Sequence, residues 1–369
     1  MEKDQVAVID ACRSKITSID QEIFTLIKKR EQLSAQIGEA KRGLNIPDRD
    51  VAREKAVFDH AMTLARTLDL PQGLATSLQQ LIIDVSLSRQ ERDRIRNNPP
   101  KQALKVTIIG GSGRMGAWLS RFLADSGHEI SVIDKIKPDF EANYSHELDD
   151  SVGLSDVIIV ATPIRTSADI LEKLKTMRLK KTVIFDVSSV KAPVYNALSS
   201  LRDDGVLVTS LHPMFGPSVQ LLFGKHIILT SMGMPKADDF ARDLFKSTAL
   251  TVLDMSIEEH DEAMSYVLSL SHLLNIIFVL TLRESELPLA NLARMASPTF
   301  SHVLSQAQKV FEENPHLYYE IQALNSHNKK SYEKLELVLK NLIEAVTNKK
   351  EDDFVALMKA GQQFLGSAS

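Results

Sequence analysis

Three groups of residues in this sequence have types and spacings that could do chemistry. The first is Gly110-Gly111-Ser112-Gly113-Arg114-Met115-Gly116, which follows the apolar run 105–109 and opens an amphipathic stretch. Glycines at 111, 113 and 116 allow a tight turn. They also let a pyrophosphate approach a helix N-terminus, whose free N–H groups favour an anion. Asp134 ends the next apolar run and is placed to accept hydrogen bonds from ribose hydroxyls, which favours NAD. Lys135 follows directly and would tolerate a 2′-phosphate, so NADP stays open. The second group lies in three short stretches that close apolar runs: 160–164 (VATPI), 186–191 (DVSSVK) and 211–217 (LHPMFGP). Such strand ends line the ligand crevice of an open α/β sheet. Thr162 and Pro163 in the first of them are assigned to the cofactor. His212 is locked between Leu211 and Pro213, and a lone histidine there would be structural unless its neighbours indicate otherwise.

The third group interrupts helical patterns. Arg30 sits where an apolar residue is due between Leu26 and Leu33, and Lys41 follows Ile37 by four. Glu54 falls between Val51 and Phe58, with Arg53 beside it and Asp50 one turn earlier. Ile82, Ser86 and Gln90 share a face at steps of four. Charged groups facing a bundle interior are costly unless paired or bound to a ligand. Structural ion pairs, such as Arg30 with Glu54, are one reading and a pocket for an anion is the other.

The elements that must position these groups fall into three parts. Residues 4 to about 95 read as helical throughout. Ile9, Cys12, Ile16, Ile19, Ile23, Leu26, Leu33 and Ile37 form a seam at spacings of three and four. At about 1.5 Å per residue, that helix is close to 60 Å long. Two shorter helices, about 49–69 and 72–95, cannot cover it, so a second copy of the chain is expected to, giving an interwoven homodimer. Asn97-Asn98-Pro99-Pro100 marks a linker, placed at 96–104. From 105 to 255 apolar runs alternate with helical ones, the pattern of a doubly wound parallel sheet. From Ser256, where Ser256 and Glu259 form a capping-box pair, the rest of the chain is helical. The expected fold is an all-α domain (1–95), an α/β Rossmann-like domain (105–255) and an all-α domain (256–369).

Composition bounds the function. The 369 residues are 44% hydrophobic and 25% charged, with a formal net charge of −4. That balance argues against broad binding to nucleic acid or an anionic membrane, so an anionic ligand needs a local cationic pocket. The single cysteine, Cys12, excludes an internal disulfide framework and fits a reducing compartment. The first fifteen residues lack the apolar core of a signal peptide. The run Tyr266–Leu282 is broken by Ser269, Ser271, His272 and Asn275 and reads as a buried helix, which makes a cytoplasmic protein the expectation.

Two resemblances sharpen the picture. "CRSKITSIDQEIFTLIKKREQLSAQIGEAKR", "IPDRDVAREK" and "LIIDVSLSRQ" together resemble the all-helical chorismate mutase family. The resemblance implies that Arg13, reaching in from a neighbouring subunit, holds the substrate carboxylates with Arg30 and Arg53. It implies that Lys41 and Gln90 contact the breaking ether oxygen and that Glu54 binds near the ring hydroxyl, with Asp50 and Ser86 completing the site. The chemistry is compatible: a Claisen rearrangement needs a dianion held in a compact geometry and charge stabilisation at the ether oxygen, not a nucleophile.

From residue 105 onward, "DVSSVK", "LHPMFGP", "EEHDEAMSYVLSLSHLLN" and "NPHLYYEIQ" resemble the prephenate dehydrogenase family. The order of the two segments resembles the bifunctional chorismate mutase/prephenate dehydrogenases of tyrosine synthesis. This resemblance implies that His212 takes the proton of the C4 hydroxyl as hydride leaves for NAD, and that Ser189 hydrogen-bonds that histidine. It further implies that Lys191 and His272 lie near the substrate and that the last domain dimerises. His260 is expected to be structural. The sequence departs from the family at "SPTFSHV": Ser301 stands where an arginine commonly binds a carboxylate, which leaves Lys191, Arg294 or His302 for that task and leaves prephenate against arogenate open. A monofunctional dehydrogenase whose leading helices only dimerise or regulate is the alternative. It gives no reason for Arg30, Lys41, Glu54 and Gln90 to face inward together. No metal site is expected.

Overall fold

The computed structural model describes residues 2–44, 50–179 and 181–367. Three helices come first: α1 (Glu2–Gly43), α2 (Val51–Thr67) and α3 (Gln72–Asn97). Asp50 caps α2, its carboxylate accepting the Arg53 N–H at 2.9 Å. The third helix runs to Asn97, past the expected end at 95, because the break comes only at the Pro99-Pro100 pair. The α1 seam is left uncovered by its own chain: Ile9, Ile16, Ile19, Ile23, Leu26, Leu33 and Ile37 are 44–63% exposed.

The α/β region follows as β1 (Lys105–Ile109), α4 (Arg114–Asp125), β2 (Glu129–Ile133), β3 (Asn143–Ser145), β4 (Val157–Val160), α5 (Ile164–Leu174), β5 (Val183–Asp186), α6 (Ala192–Asp203), β6 (Leu207–Pro213), β7 (His226–Thr230), α7 (Pro235–Asp243) and β8 (Thr251–Met255). The eight strands lie in the order β3-β2-β1-β4-β5-β6-β7-β8. β1 pairs with β2, β2 with β3 and β5 with β6 in parallel. The continuous apolar runs of β1 and β5 fit this, since a strand covered on both faces needs no polar alternation, while β3 (Asn143-Tyr144-Ser145) is a short edge strand without such a run and was not expected from the sequence. All four residues of β4 are fully buried. The strand order reverses between β1 and β4, the switch point at which such sheets bind ligands. The strand–helix alternation lapses at segment 214–225, which joins β6 to β7 without a helix.

Contacts divide the chain into two compact units, Met1–Ile158 with Pro213–Ile227 and Lys236–Leu253, and Ile159–His212 with Ile228–Pro235 and Asp254–Ser369. The second unit contains α8 (Ile257–Met264), one π-helical turn (Ser265–Leu270), α9 (Ser271–Glu284), α10 (Leu289–Arg294), α11 (Pro298–Phe311), α12 (Pro315–Leu324), α13 (Asn328–Thr347) and α14 (Glu351–Gly366). The capping box at Ser256 is present, with the Glu259 carboxylate accepting the Ser256 N–H and the Ser256 hydroxyl accepting the Glu259 N–H.

The expectation of a buried helix over 266–282 is corrected. No residue of α9 is buried, and Val267, Leu274, Ile277 and Leu280 are 41–52% exposed. Ile257–Glu284 is long and apolar enough to cross a membrane by length and composition. Its first turns, however, are fixed in the α/β region by the buried pair His260 and Asp261, which makes it a domain helix with an uncovered apolar face.

Candidate active sites

In the leading helices the seam exceptions do meet. Arg30 on α1 donates to the Ser86 hydroxyl at 2.8 Å and to the Ile82 carbonyl at 3.4 Å, while Ser86 itself donates to Ile82 O at 2.8 Å. One turn along α3, the Gln90 amide donates to the carbonyl and hydroxyl of Ser34 at 2.8 and 2.7 Å. Both its hydrogens are spent there, and its buried Oε1 has no partner. A Gln90 contact to an ether oxygen therefore requires the amide to turn, because an ether offers only lone pairs. Ser86 and Gln90 are buried, Arg30, Lys41 and Glu54 are half-buried, and Asp50 and Arg53 are exposed. Arg13 stands apart, its side chain 76% exposed and beside Asp10 at 3.4 Å. A site containing Arg13 needs a second chain.

The glycine turn is shaped for close approach. Gly110 holds φ at +83°, the left-handed region that favours glycine. A Cβ on Gly116 would lie 2.1 Å from the Gly110 carbonyl oxygen, and one on Gly111 would lie 2.8 Å from a Val132 methyl. Arg114 and Met115 begin α4, whose Leu119 and Leu123 are fully buried one turn apart. Asp134 closes the turn, accepting the Ser112 N–H at 3.0 Å on one oxygen and the Ile136 N–H at 3.1 Å on the other. It braces the loop and keeps lone pairs for ribose hydroxyls. This cradle, which any side chain at 116 would fill, fits a dinucleotide.

The second unit holds a buried polar chain. Asp186 ends β5 and is fully buried; it accepts from the Ser210 hydroxyl at 2.5 Å, from Lys191 Nζ at 3.2 Å and from the Ser188 N–H at 2.8 Å. Lys191 is also fully buried, with Nζ donating to the Leu211 carbonyl at 2.6 Å. Burial holds its pKa below the ordinary lysine value, against the pull of Asp186. The expectation that Lys191 binds a substrate carboxylate is thus corrected: its ammonium is enclosed and already paired. Arg294 and His302 are exposed, as is Ser301.

His212, 4% exposed, joins the histidine expected to be structural: its Nδ1 lies 2.9 Å from His260 Nε2. Nδ1 of His260 lies 2.7 Å from Asp261 Oδ1. Asp261 also accepts the Lys191 N–H at 2.9 Å and the Ala192 N–H at 2.8 Å, while Asn325 holds its carbonyl at 2.7 Å. The partner of the His212 ring is therefore His260 and not Ser189, which is half-buried on its loop. Burial, then the neighbouring His260 and Lys191, hold the His212 pKa well below 6.5. His260 is lowered as well, first by burial. Burial alone would raise Asp261, but hydrogen bonds from His260, Lys191 and Ala192 outweigh it and leave the carboxyl below its ordinary value. His272 packs edge-on against Tyr318, 4.4 Å between ring centroids. Its Nδ1 is buried without a partner, and burial lowers its pKa to about 4. Thr162 shares a 2.9 Å hydrogen bond with Ser167, and the Ile164 N–H at the start of α5 is held by the Glu320 carboxylate at 2.7 Å.

Comparison with known proteins accounts for all three regions. Residues 12–91 match chorismate mutase type II, residues 120–248 the nucleotide-binding domain of prephenate dehydrogenase, and residues 256–360 its dimerization domain. The chain belongs to the chorismate mutase/prephenate dehydrogenase family. It is 26% identical over 357 residues to the T-protein of Haemophilus influenzae, covering 97% of this chain and 92% of that one. A probable arogenate/prephenate dehydrogenase of Methanocaldococcus jannaschii is 27% identical over 274 residues, 72% of this chain and 61% of the relative. Prephenate dehydrogenase from A. aeolicus, solved with hydroxyphenyl propionate and NAD+, shares the fold at a TM-score of 0.60 and 22% identity, over 73% of this chain and 99% of that one. This member of the family is a bifunctional chorismate mutase/prephenate dehydrogenase of tyrosine biosynthesis that uses NAD. Asp186 and Asp261 belong to this buried polar chain and were not anticipated from the sequence, and His260, expected to be structural, is the hydrogen-bond partner of His212; the His-Asp doublet in "EEHDEAM" was the available signal.

Proposed function

We propose that the dehydrogenase step runs on the chain Asp261–His260–His212. Asp261 accepts the proton on His260 Nδ1, so His260 Nε2 presents a lone pair and His212 Nδ1 must donate to it. The remaining His212 nitrogen, Nε2, is then a neutral acceptor. It takes the proton of the substrate C4 hydroxyl while the hydride leaves C4. Bound NAD+ supplies the hydride acceptor. The new ring carbonyl receives the electron pair released as the carboxylate departs as CO₂, and the ring becomes aromatic. Burial keeps His212 neutral and excludes water from the proton transfer. Prephenate, rather than arogenate, is the substrate we assign, because the leading helices of the same chain make it.

For the mutase step, Arg30 with Ser86 supplies a fixed guanidinium for a carboxylate, and Arg53 and a second chain's Arg13 supply the rest. Lys41 and Gln90 serve the ether oxygen and Glu54 the hydroxyl. The chain works as a homodimer: the uncovered α1 seam, the apolar face of α9 and the match to a dimerization domain all support it. A cytoplasmic enzyme fits these relatives.

The proton chain is the observation that carries this reading, and one incubation tests it. With chorismate and NAD+, the enzyme forms prephenate and then NADH. His212→Asn should still form prephenate and should lose NADH formation by about 10²- to 10⁴-fold, the ordinary worth of a general base. Near-normal NADH formation by that variant overturns the assignment.

A further inference from the structure

Gln90 faces the mutase pocket, and its neighbour Glu91 turns the other way. Glu91 is 4% exposed, yet its carboxylate meets backbone rather than a cation: it accepts the Leu222 N–H at 2.8 Å and the Ala249 N–H at 3.1 Å. A buried carboxylate without such donors would be costly, so these bonds fix its geometry closely. Leu222 lies in segment 214–225, the helix-free stretch that leaves β6 immediately after His212 and Pro213. The same segment is held at its start, where Phe215 packs edge-on against Trp118 of α4 at 5.0 Å between centroids. Between these two points it borders a cavity of about 520 Å³ shared with α3, lined by Leu81, Val85, Val219 and Phe223 among others. A chain stretch with no helix or strand of its own takes its conformation from what pins it. One of those pins belongs to the mutase helices.

We propose that Glu91 is a positioning residue for the dehydrogenase. By holding Leu222 and Ala249 it sets the path of segment 214–225, the stretch that leaves β6 directly after His212 and Pro213. The dependence runs one way, because Glu91 faces away from Arg30, Ser86 and Gln90. Its effect falls on prephenate binding rather than on the glycine turn. The inference rests on placing dehydrogenation at the His212 end of β6.

The test compares Glu91→Gln with Arg96→Met in the full-length enzyme. Arg96 also ties α3 to α4, through Asp125 at 2.8 Å, but it does not touch the segment. In E91Q an amide NH₂ must face at least one of the two backbone donors. We expect KM for prephenate to rise at least tenfold, with KM for NAD+ and mutase kcat/KM within twofold of the parent. The amides of Leu222 and Ala249 should exchange with deuterium faster in E91Q and not in R96M. Unchanged prephenate kinetics with faster amide exchange overturns the proposal. So does a parallel fall of both activities in E91Q and R96M, which would mark general destabilisation. If E91Q does not fold, Glu91→Asp keeps the charge, shortens the reach and is read in the same way. Failure of the His212 assignment shows separately, as NADH formation surviving in H212N.

Discussion

The carboxylate of Asp261 accepts three hydrogen bonds, from the His260 ring and from the N–H groups of Lys191 and Ala192, and one of these sets a tautomer two residues away in space. In Asp261→Asn the amide cannot satisfy the same three donors, and His260 is free to move its proton to Nε2. His212 then carries its own proton on the nitrogen that faces substrate. We expect NADH formation to fall on the order of 10²-fold while mutase turnover is unchanged; a change within threefold would remove Asp261 from the mechanism. The pH profile carries the same information. A histidine held below its ordinary pKa of 6.5 stays neutral as pH falls through that value, so the acid limb of dehydrogenase kcat/KM lies below pH 6.5 in the parent enzyme. The sequence showed His212 through its neighbours Pro213 to Pro217, which are local. It could not show the role of His260, because 48 residues separate the two rings and only the fold brings α8 to the end of β6. Lys191 misled for a related reason: a lysine after a strand end is ordinarily solvated, and only the Asp186 carboxylate and the Leu211 carbonyl explain its enclosure.

At the scale of elements, the turn between β1 and α4 tolerates almost no added volume. Gly116→Ala places a methyl 2.1 Å from the Gly110 carbonyl oxygen, so the turn must open and the helix N-terminus must withdraw from the pyrophosphate. KM for NAD+ should rise at least tenfold while chorismate is still rearranged at the parental rate; unaltered NAD+ kinetics would mean that the cofactor does not sit on this turn. Seven of the eight strands were legible because each is an apolar run bounded by turn residues, and the linker because two prolines end α3; β3, Asn143-Tyr144-Ser145, carries no apolar run and gave no such signal. The covering of the helix 257–284 was not legible. An apolar stripe records that a face must be buried, without recording whether the same chain or another one buries it.

For the whole molecule, the seven seam residues of α1 are the main debt in exposed surface. Covering a half-exposed aliphatic side chain is worth about 1 kcal/mol, so the seam alone supplies several kcal/mol toward association. Ile19→Glu, 54% exposed and about 16 Å along the helix from Arg30, should break that association without touching the pocket. Loss of the second chain's Arg13 should then lower mutase kcat/KM by about 10²-fold or more, the usual worth of one transition-state charge partner. Sedimentation should report the smaller species alongside. Full mutase activity in that variant would show that each chain completes its own site. The single π-helical turn at Ser265–Leu270 adds a consequence for how this helix can vary. A π turn holds one residue more than an α turn, and each residue advances an α-helix by about 100°. Because the wider turn takes up that extra residue in about the same rotation, deleting one residue there would restore a continuous α-helix and leave the faces beyond it on nearly the same bearing. His260 and Asp261 at one end and Leu274, Ile277 and Leu280 at the other would keep their mutual orientation. The wide turn therefore works as slack in the helix: one residue can be gained or lost there without uncoupling the chemistry at one end from the apolar face at the other.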